Sequence, residues 1–442
     1  MDSLCGGLSH VHQPADAHAR LAKMFVNNGV DLTDMLLEAC NAGDSDVVAL
    51  LLDLNADANS FNNDEGGRVL DAACDDGFLQ IARMLIEHGA DINHGDDEGE
   101  TALTSASGQG HCAIVRLLLD RGATTDCSDH NQPVFALHKA CANGHCEVAA
   151  LLCERGATMD QKDFIQCTPL LCAAFGEHYA VMELLLQYPS ALASIDTSDD
   201  DGMTALHVAC QGRSDHLVAL LLKHGAATSV AEQNDGNTPL HVACKQASPR
   251  SVRSLLAHGA DAAARNNGGE TPIQLACKRG GLDCVRPLLD HAVDPNAADN
   301  CGRTALHEAC CSTYLRYDRA PMVSLLLEAG ADTERREQIR GLTPLHLAAF
   351  TNCFATTRLL LQHGARLRRN ADGQTPIDMA RPGGYVDRAC RAARAGTRWR
   401  GAGVWVRLIG RLQREAAARV YAPGGLGFED CKRRRLAGGM QP

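Results

Sequence analysis

The side chains best equipped for chemistry in this chain of 442 residues are its 19 histidines and 20 cysteines. An imidazole can serve as a general base or metal ligand, and a thiolate as a nucleophile or zinc ligand, provided a partner stands at the right spacing. The spacing points elsewhere. His138, His207, His241, His307 and His346 each follow a leucine in the same local context. Seven cysteines, Cys40, Cys74, Cys141, Cys210, Cys244, Cys277 and Cys310, return at one equivalent position instead of as Cys-x-x-Cys pairs. The densest mixed patch is Cys141, His145, Cys146 and Cys153, yet His145 repeats His111 and Cys146 repeats Cys112. No nucleophile elbow, phosphate-cradling glycine loop or His-Glu-x-x-His helix occurs. The histidines are therefore expected to tie a threonine to neighbouring backbone, and the cysteines to be reduced, metal-free core residues. Catalytic, metal and cofactor residues are expected to be none.

The elements that must position these residues recur with them. Thr238-Pro239-Leu240-His241-Val242-Ala243-Cys244 has counterparts beginning at Thr204, Thr271, Thr304 and Thr343, and the full series of origins runs Asp34, Arg68, Thr101, Phe135, Thr168, Thr204, Thr238, Thr271, Thr304, Thr343 and Thr375. A fixed period of 33 or 34 residues, stretched to 36 after Thr168 and 39 after Thr304, signifies stacked supersecondary units. Threonine caps a first helix, proline suits its first turn, and leucine and alanine face the stack. A second helix carries an apolar run such as Leu220-Leu221-Leu222 and stops at a glycine such as Gly225. Turn-rich stretches such as Asn234-Asp235-Gly236-Asn237 then project as fingers.

These blocks resemble the ankyrin repeat family over roughly residues 21 to 380. The resemblance implies an all-α solenoid of helix-turn-helix units with projecting β-turn or hairpin fingers, and a non-enzymatic scaffold that holds a partner protein in a concave, finger-lined groove. The expected organisation is an N-terminal segment with a capping half-repeat at 1–31, about eleven units at 32–380 with the last one partial, and an Arg/Gly/Ala-rich, partly disordered tail at 381–442. The Leu306-His307-Glu308-Ala309-Cys310 block also resembles ankyrin proteins that carry a C-terminal SOCS box. That resemblance implies an alternative, the substrate-recognition subunit of a cullin-type ubiquitin ligase. Val386-Asp387-Arg388-Ala389-Cys390 only faintly matches such a box, and no Leu-Pro-Leu-Pro element follows. Asn59, Asn93 and Asn296 each lie eight residues after a leucine and two after an aspartate, a pattern resembling the sites of an asparaginyl hydroxylase that acts on ankyrin repeats. As a turn residue, asparagine is also at home there for structural reasons.

Departures from the repeat are where a partner would be read, because the shared positions only hold the stack together. Phe164 and Ile165 put two large apolar side chains on a finger where a sister repeat has Asn234 and Asp235. The longer unit after Thr304 offers Tyr314, Arg316 and Tyr317. Acidic runs at Asp96-Asp97-Glu98 and Asp199-Asp200-Asp201 make Asp97 and Asp200 further candidates, favour partners with basic segments and disfavour nucleic acid on the array. Arg265, Arg335 and Arg336 reverse that sign in later fingers. The tail holds 14 Lys/Arg against 4 Asp/Glu, leaving 28 against 50 in the residues before it. Trp405, Leu408, Ile409 and Leu412 fall at helical spacing among arginines, which suits an acidic partner or a membrane surface. Lys432-Arg433-Arg434-Arg435 resembles a nuclear import signal. With no transmembrane stretch and no secretory start, cytosol or nucleus is the expected location.

Overall fold

Seven apolar-patterned residues, opening in most units on Thr, are enough for two helical turns, and that unit recurs along the chain. The computed structural model describes residues 32–60, 68–96, 99–126, 135–311 and 319–379. They fall into two compact units, one ending at Asn267 and the other beginning at Gly268. The first contains helices α1 (Leu32–Asn41) and α2 (Ser45–Asp53), α3 (Val69–Asp75) and α4 (Leu79–Glu87), α5 (Ala102–Gln109) and α6 (Cys112–Asp120), and α7 (Ala136–Ala142) and α8 (Cys146–Glu154). It continues with α9 (Pro169–Phe175), α10 (Tyr179–Leu185) and a short α11 (Pro189–Ala193), then α12 (Ala205–Gln211) and α13 (Asp215–Lys223), and α14 (Pro239–Lys245) and α15 (Pro249–Ala257). The second unit pairs α16 (Pro272–Arg279) with α17 (Leu282–Asp290), α18 (Ala305–Cys311) with α19 (Ala320–Glu328), and α20 (Pro344–Phe350) with α21 (Phe354–Gln362). The extra helix α11 accounts for the 36-residue step after Thr168.

Within each unit first helices pack on first helices and second on second, as α3 does on α5 and α16 on α18. The leucines and alanines of the repeated block form the core: Leu70, Ala73, Leu103, Ala106, Leu137 and Ala140 are all buried. All seven repeat-phased cysteines are buried there too. Burial pushes the Cys40 thiol up to about 12 and raises Cys74, Cys141, Cys210, Cys277 and Cys310 in the same direction, so these six remain protonated, small and apolar at neutral pH. Second helices stop as their sequences require. Gly225 adopts φ +86°, and Ala226 N donates to Leu221 O at 3.1 Å, closing α13 with the backbone bond of a left-handed C-cap.

The fingers take the turn form of the two expected. Among the described residues no strand forms, and isolated bridges stand at Gly95–Thr101 and Ser198–Thr204. A side-chain carboxylate closes the turns at Asp163, Asp199, Glu232, Asp299 and Glu337, and backbone bonds from a following finger support several tips. Residues 1–31, Asp97, the stretch with Tyr314, Arg316 and Tyr317, and the tail with Trp405 lie outside the described residues.

Candidate functional site

The histidines are structural locks. In the repeat at Thr204, His207 Nδ1 accepts from Thr204 N at 3.3 Å and lies 2.9 Å from Thr204 Oγ1, while Nε2 donates to Asn237 O at 3.0 Å. The backbone N–H fixes Nδ1 as acceptor and therefore places the ring proton on Nε2. His307 repeats the arrangement with Thr304 and Leu342 O, and His346 with Thr343 and Gln374 O. At Thr271 a glutamine does the same work, Gln274 Oε1 accepting from Thr271 N at 2.7 Å and Nε2 donating to Arg303 O at 2.6 Å. Burial disfavours the imidazolium and lowers the His307 pKa to about 4. Both ring nitrogens are committed, which leaves none to act as a base on a substrate.

His138 departs from the expected threonine link, because Phe135 occupies the threonine position. Its ring lies 5.1 Å from the Phe135 ring, and Nε2 faces Gln161 O and Cys167 O, each at 3.1 Å. In the Cys/His patch, His145 Nε2 instead meets Gly108 O at 2.8 Å, just as His111 meets Asp75 O and His178 meets Ala142 O. Of the three carboxylates that do converge, Glu270, Asp299 and Glu308, two pair with cations of the protein itself and Asp299 accepts backbone N–H groups of its own turn. Lys278 Nζ is 2.9 Å from Glu270 Oε1 and Arg303 Nε is 3.1 Å from Glu308 Oε1. Glu308 thus occupies a buried position held by Val208, Val242 and Leu347 in other repeats, and its burial raises its pKa against the pull of Arg303.

The three asparagines selected by spacing share one role. Asn59 Nδ2 donates to Gly89 O at 3.1 Å while its Oδ1 accepts from Asp91 N at 2.7 Å. Asn93 makes the same pair of bonds to Gly122 O and Thr124 N, and Asn296 to Gly330 O and Asp332 N. Each amide clamps its finger base to the following repeat. Asp126 and Glu334 accept at the corresponding place, from Thr158 and Arg366 N. A hydroxylase acting on any of these asparagines would first have to open the clamp.

The acids of the finger tips divide into two kinds. The first acid of a finger turns inward: Asp163 accepts from Ile165 N and Cys167 N, Asp199 from Asp201 N and Met203 N, and Asp299 from Cys301 N and Arg303 N. It closes the turn and is unavailable to a partner. Asp200, one residue on, is exposed, as is Asp201. Consecutive tips are joined by backbone bonds such as Gln233 N to Asp201 O at 2.8 Å.

Phe164 and Ile165 stand at such a tip, 58% and 49% exposed, so they do not fold back on their own finger. Phe175, at the far end of α9, is 53% exposed and takes the register of Gln211, Lys245 and Lys278. The next residue of the finger, Gln166, holds φ +61° where Gly202, Gly236, Gly269 and Gly302 stand in other repeats. A residue with a Cβ is disfavoured in that left-handed region by about 1–2 kcal/mol. Both signals stand in the sequence, a phenylalanine in a polar register and a glutamine in a glycine register. Tyr179 is exposed on α10 and faces an open hollow with His216, Ala219, Leu220 and Lys223.

The family profile for ankyrin repeats, described as three copies, matches residues 36–129, 125–196, 190–266, 248–337 and 315–388. With matches spanning most of its length, the chain belongs to the ankyrin-repeat family. No curated protein matches it. Ankyrin repeats serve generally as protein–protein interaction modules and are typically non-enzymatic. Among the described residues, no helix is long and apolar enough to cross a membrane.

Proposed function

We propose that this protein is a non-enzymatic scaffold that grips a partner protein through the fingers and first-helix face of its first unit. The observation that carries the reading is the concentration of Phe164, Ile165 and Phe175 in one repeat. Of the six large apolar side chains exposed among the described residues, these three and Tyr179 fall between 164 and 179. Apolar anchors set among polar surroundings are the usual source of binding energy at an interface. The next tip presents Asp200 and Asp201, both exposed, so the fitting partner pairs an apolar segment with a basic flank.

Affinity purification with the full chain, beside a Phe164→Ser/Ile165→Ser/Phe175→Ser variant, tests this. The wild type should retain one or more proteins that the variant releases, with unchanged thermal melting. Equal retention by both would sink the proposal. The alternative of a ubiquitin-ligase substrate receptor rests on the block at 306–310 and on a faint match at 386–390, the latter outside the described residues. Capture of elongin and a cullin in the same experiment would support it. Cytosol or nucleus remains the proposed location, and the three asparagines remain proposed hydroxylation sites.

A further inference from the structure

The fingers of the second unit reverse the chemistry of the first. Residues 334–340 and 366–373 hold six arginines against Glu334, Glu337 and Asp372. All three acids are used within the protein. Glu337 turns inward, Oε1 accepting from Arg340 N at 2.6 Å and Leu342 N at 3.2 Å, and Oε2 from Ile339 N at 3.0 Å. Asp372 binds Arg340 through Nε at 2.8 Å and Nη2 at 2.7 Å. Glu334 accepts from Arg366 N at 2.7 Å and pairs with Arg368. Together with the backbone bond from Ala371 N to Arg340 O at 2.8 Å, these pairs fasten the two fingers side by side as one surface.

The surplus on that surface is cationic. Arg335, Arg336 and Arg366 are exposed, and among the described residues no carboxylate pairs with their guanidinium groups. At the tip beside them Ile339 is 55% exposed, the counterpart of the apolar tip in the first unit. Guanidinium forks bind carboxylates bidentately, and an exposed isoleucine between them has no role in holding the turn.

We propose that the fingers at 334–340 and 366–373 form a second docking surface, whose occupant is an acidic protein segment with an apolar residue placed to cover Ile339. Charge complementarity fixes the sign of the partner, and Ile339 favours a peptide over a bare polyanion. This surface is independent of Phe164, Ile165 and Phe175, so it stands or falls separately from the first-unit reading.

The test is fluorescence anisotropy with the full chain and a short labelled peptide of aspartates and glutamates around one leucine, beside its asparagine/glutamine counterpart. The acidic peptide should bind and the neutral one should not. Arg335→Glu/Arg336→Glu should weaken binding at least tenfold, Ile339→Ser should weaken it several-fold, and the Phe164→Ser/Ile165→Ser/Phe175→Ser variant should leave it unchanged. Affinity should fall as added salt shortens the Debye length from ~10 Å to ~3 Å. Binding that survives reversal of Arg335 and Arg336 would place the peptide on the basic tail and overturn the proposal. So would an unchanged affinity in Ile339→Ser, or equal binding of a single-stranded oligonucleotide or anionic vesicle with the same dependence on Arg335 and Arg336.

Discussion

The finger at Asp163–Gln166 in the first unit and the finger at Glu337–Arg340 in the second are built alike and present opposite surfaces. In both, an acid turns inward and accepts the backbone N–H groups of the turn, and an apolar residue stands exposed just after it. Beside Phe164 and Ile165 the following tip is acidic, at Asp200 and Asp201, whereas around Ile339 the free charge is arginine. The difference teaches that turn chemistry is fixed while two or three residues beyond the cap are free to define a partner. Net charge counted along a finger is therefore misleading until the capping acids are set aside.

The comparison breaks first under acid, to which both units should respond together because both contain the threonine–histidine lock. The folded pKa of His307 is lowered from 6.5 to about 4, so the unfolded chain takes up protons first as pH falls. Its stabilisation is complete above about 6.5 and is lost as pH drops through about 4, on the order of 3 kcal/mol for this residue. His207 and His346 are shifted in the same direction by burial. Urea unfolding followed at a series of pH values should show stability declining across that window, and a flat profile would mean the rings take up protons without breaking their locks.

Recognition, by contrast, should separate the units. Polar replacement of Phe164 and Ile165 is expected to cost about 2 kcal/mol or more in binding a basic partner, with no effect on the acidic peptide of the second unit. Titration of each variant with a captured partner measures it, and a loss shared by both ligands would indicate damage to the fold.

The buried ion pair sharpens the contrast within the core. Glu308→Leu should destabilise the chain by about 2 kcal/mol, because Arg303 loses its close carboxylate, while Arg303→Met with Glu308→Leu should recover most of that loss. Chemical denaturation of the single and double variants tests it. If the double variant is as unstable as the single, the pair contributes something that apolar packing cannot replace.

The smallest effect concerns the strained tip. Gln166→Gly should raise stability by about 1 kcal/mol by relieving the left-handed backbone at φ +61°. Should stability fall instead, the glutamine side chain supplies a compensating contact.

Much of this molecule was legible in one dimension. The period, the helix starts at Thr, the helix stops at Gly and the burial of seven cysteines follow from local rules, because each repeat satisfies most of its hydrogen bonds internally or with the next copy of the same pattern. The histidine locks were readable for the same reason, a threonine three residues before each ring. His138 shows the limit of that rule, since Phe135 removes the threonine and leaves the ring on two carbonyls of a later finger.

What only the tertiary structure decided is which polar group faces which way. Spacing marked Asn59, Asn93 and Asn296 as a set, but their clamp bonds reach residues about thirty positions ahead, a distance that stacking alone makes short. Asp199 and Asp200 are neighbours of one type in the sequence, yet one is spent on the turn and the other meets solvent. The sequence alone determined the repeat because repetition is local. The surface was decided by packing, since stacking one repeat on the next is what consumes some charges and leaves others exposed.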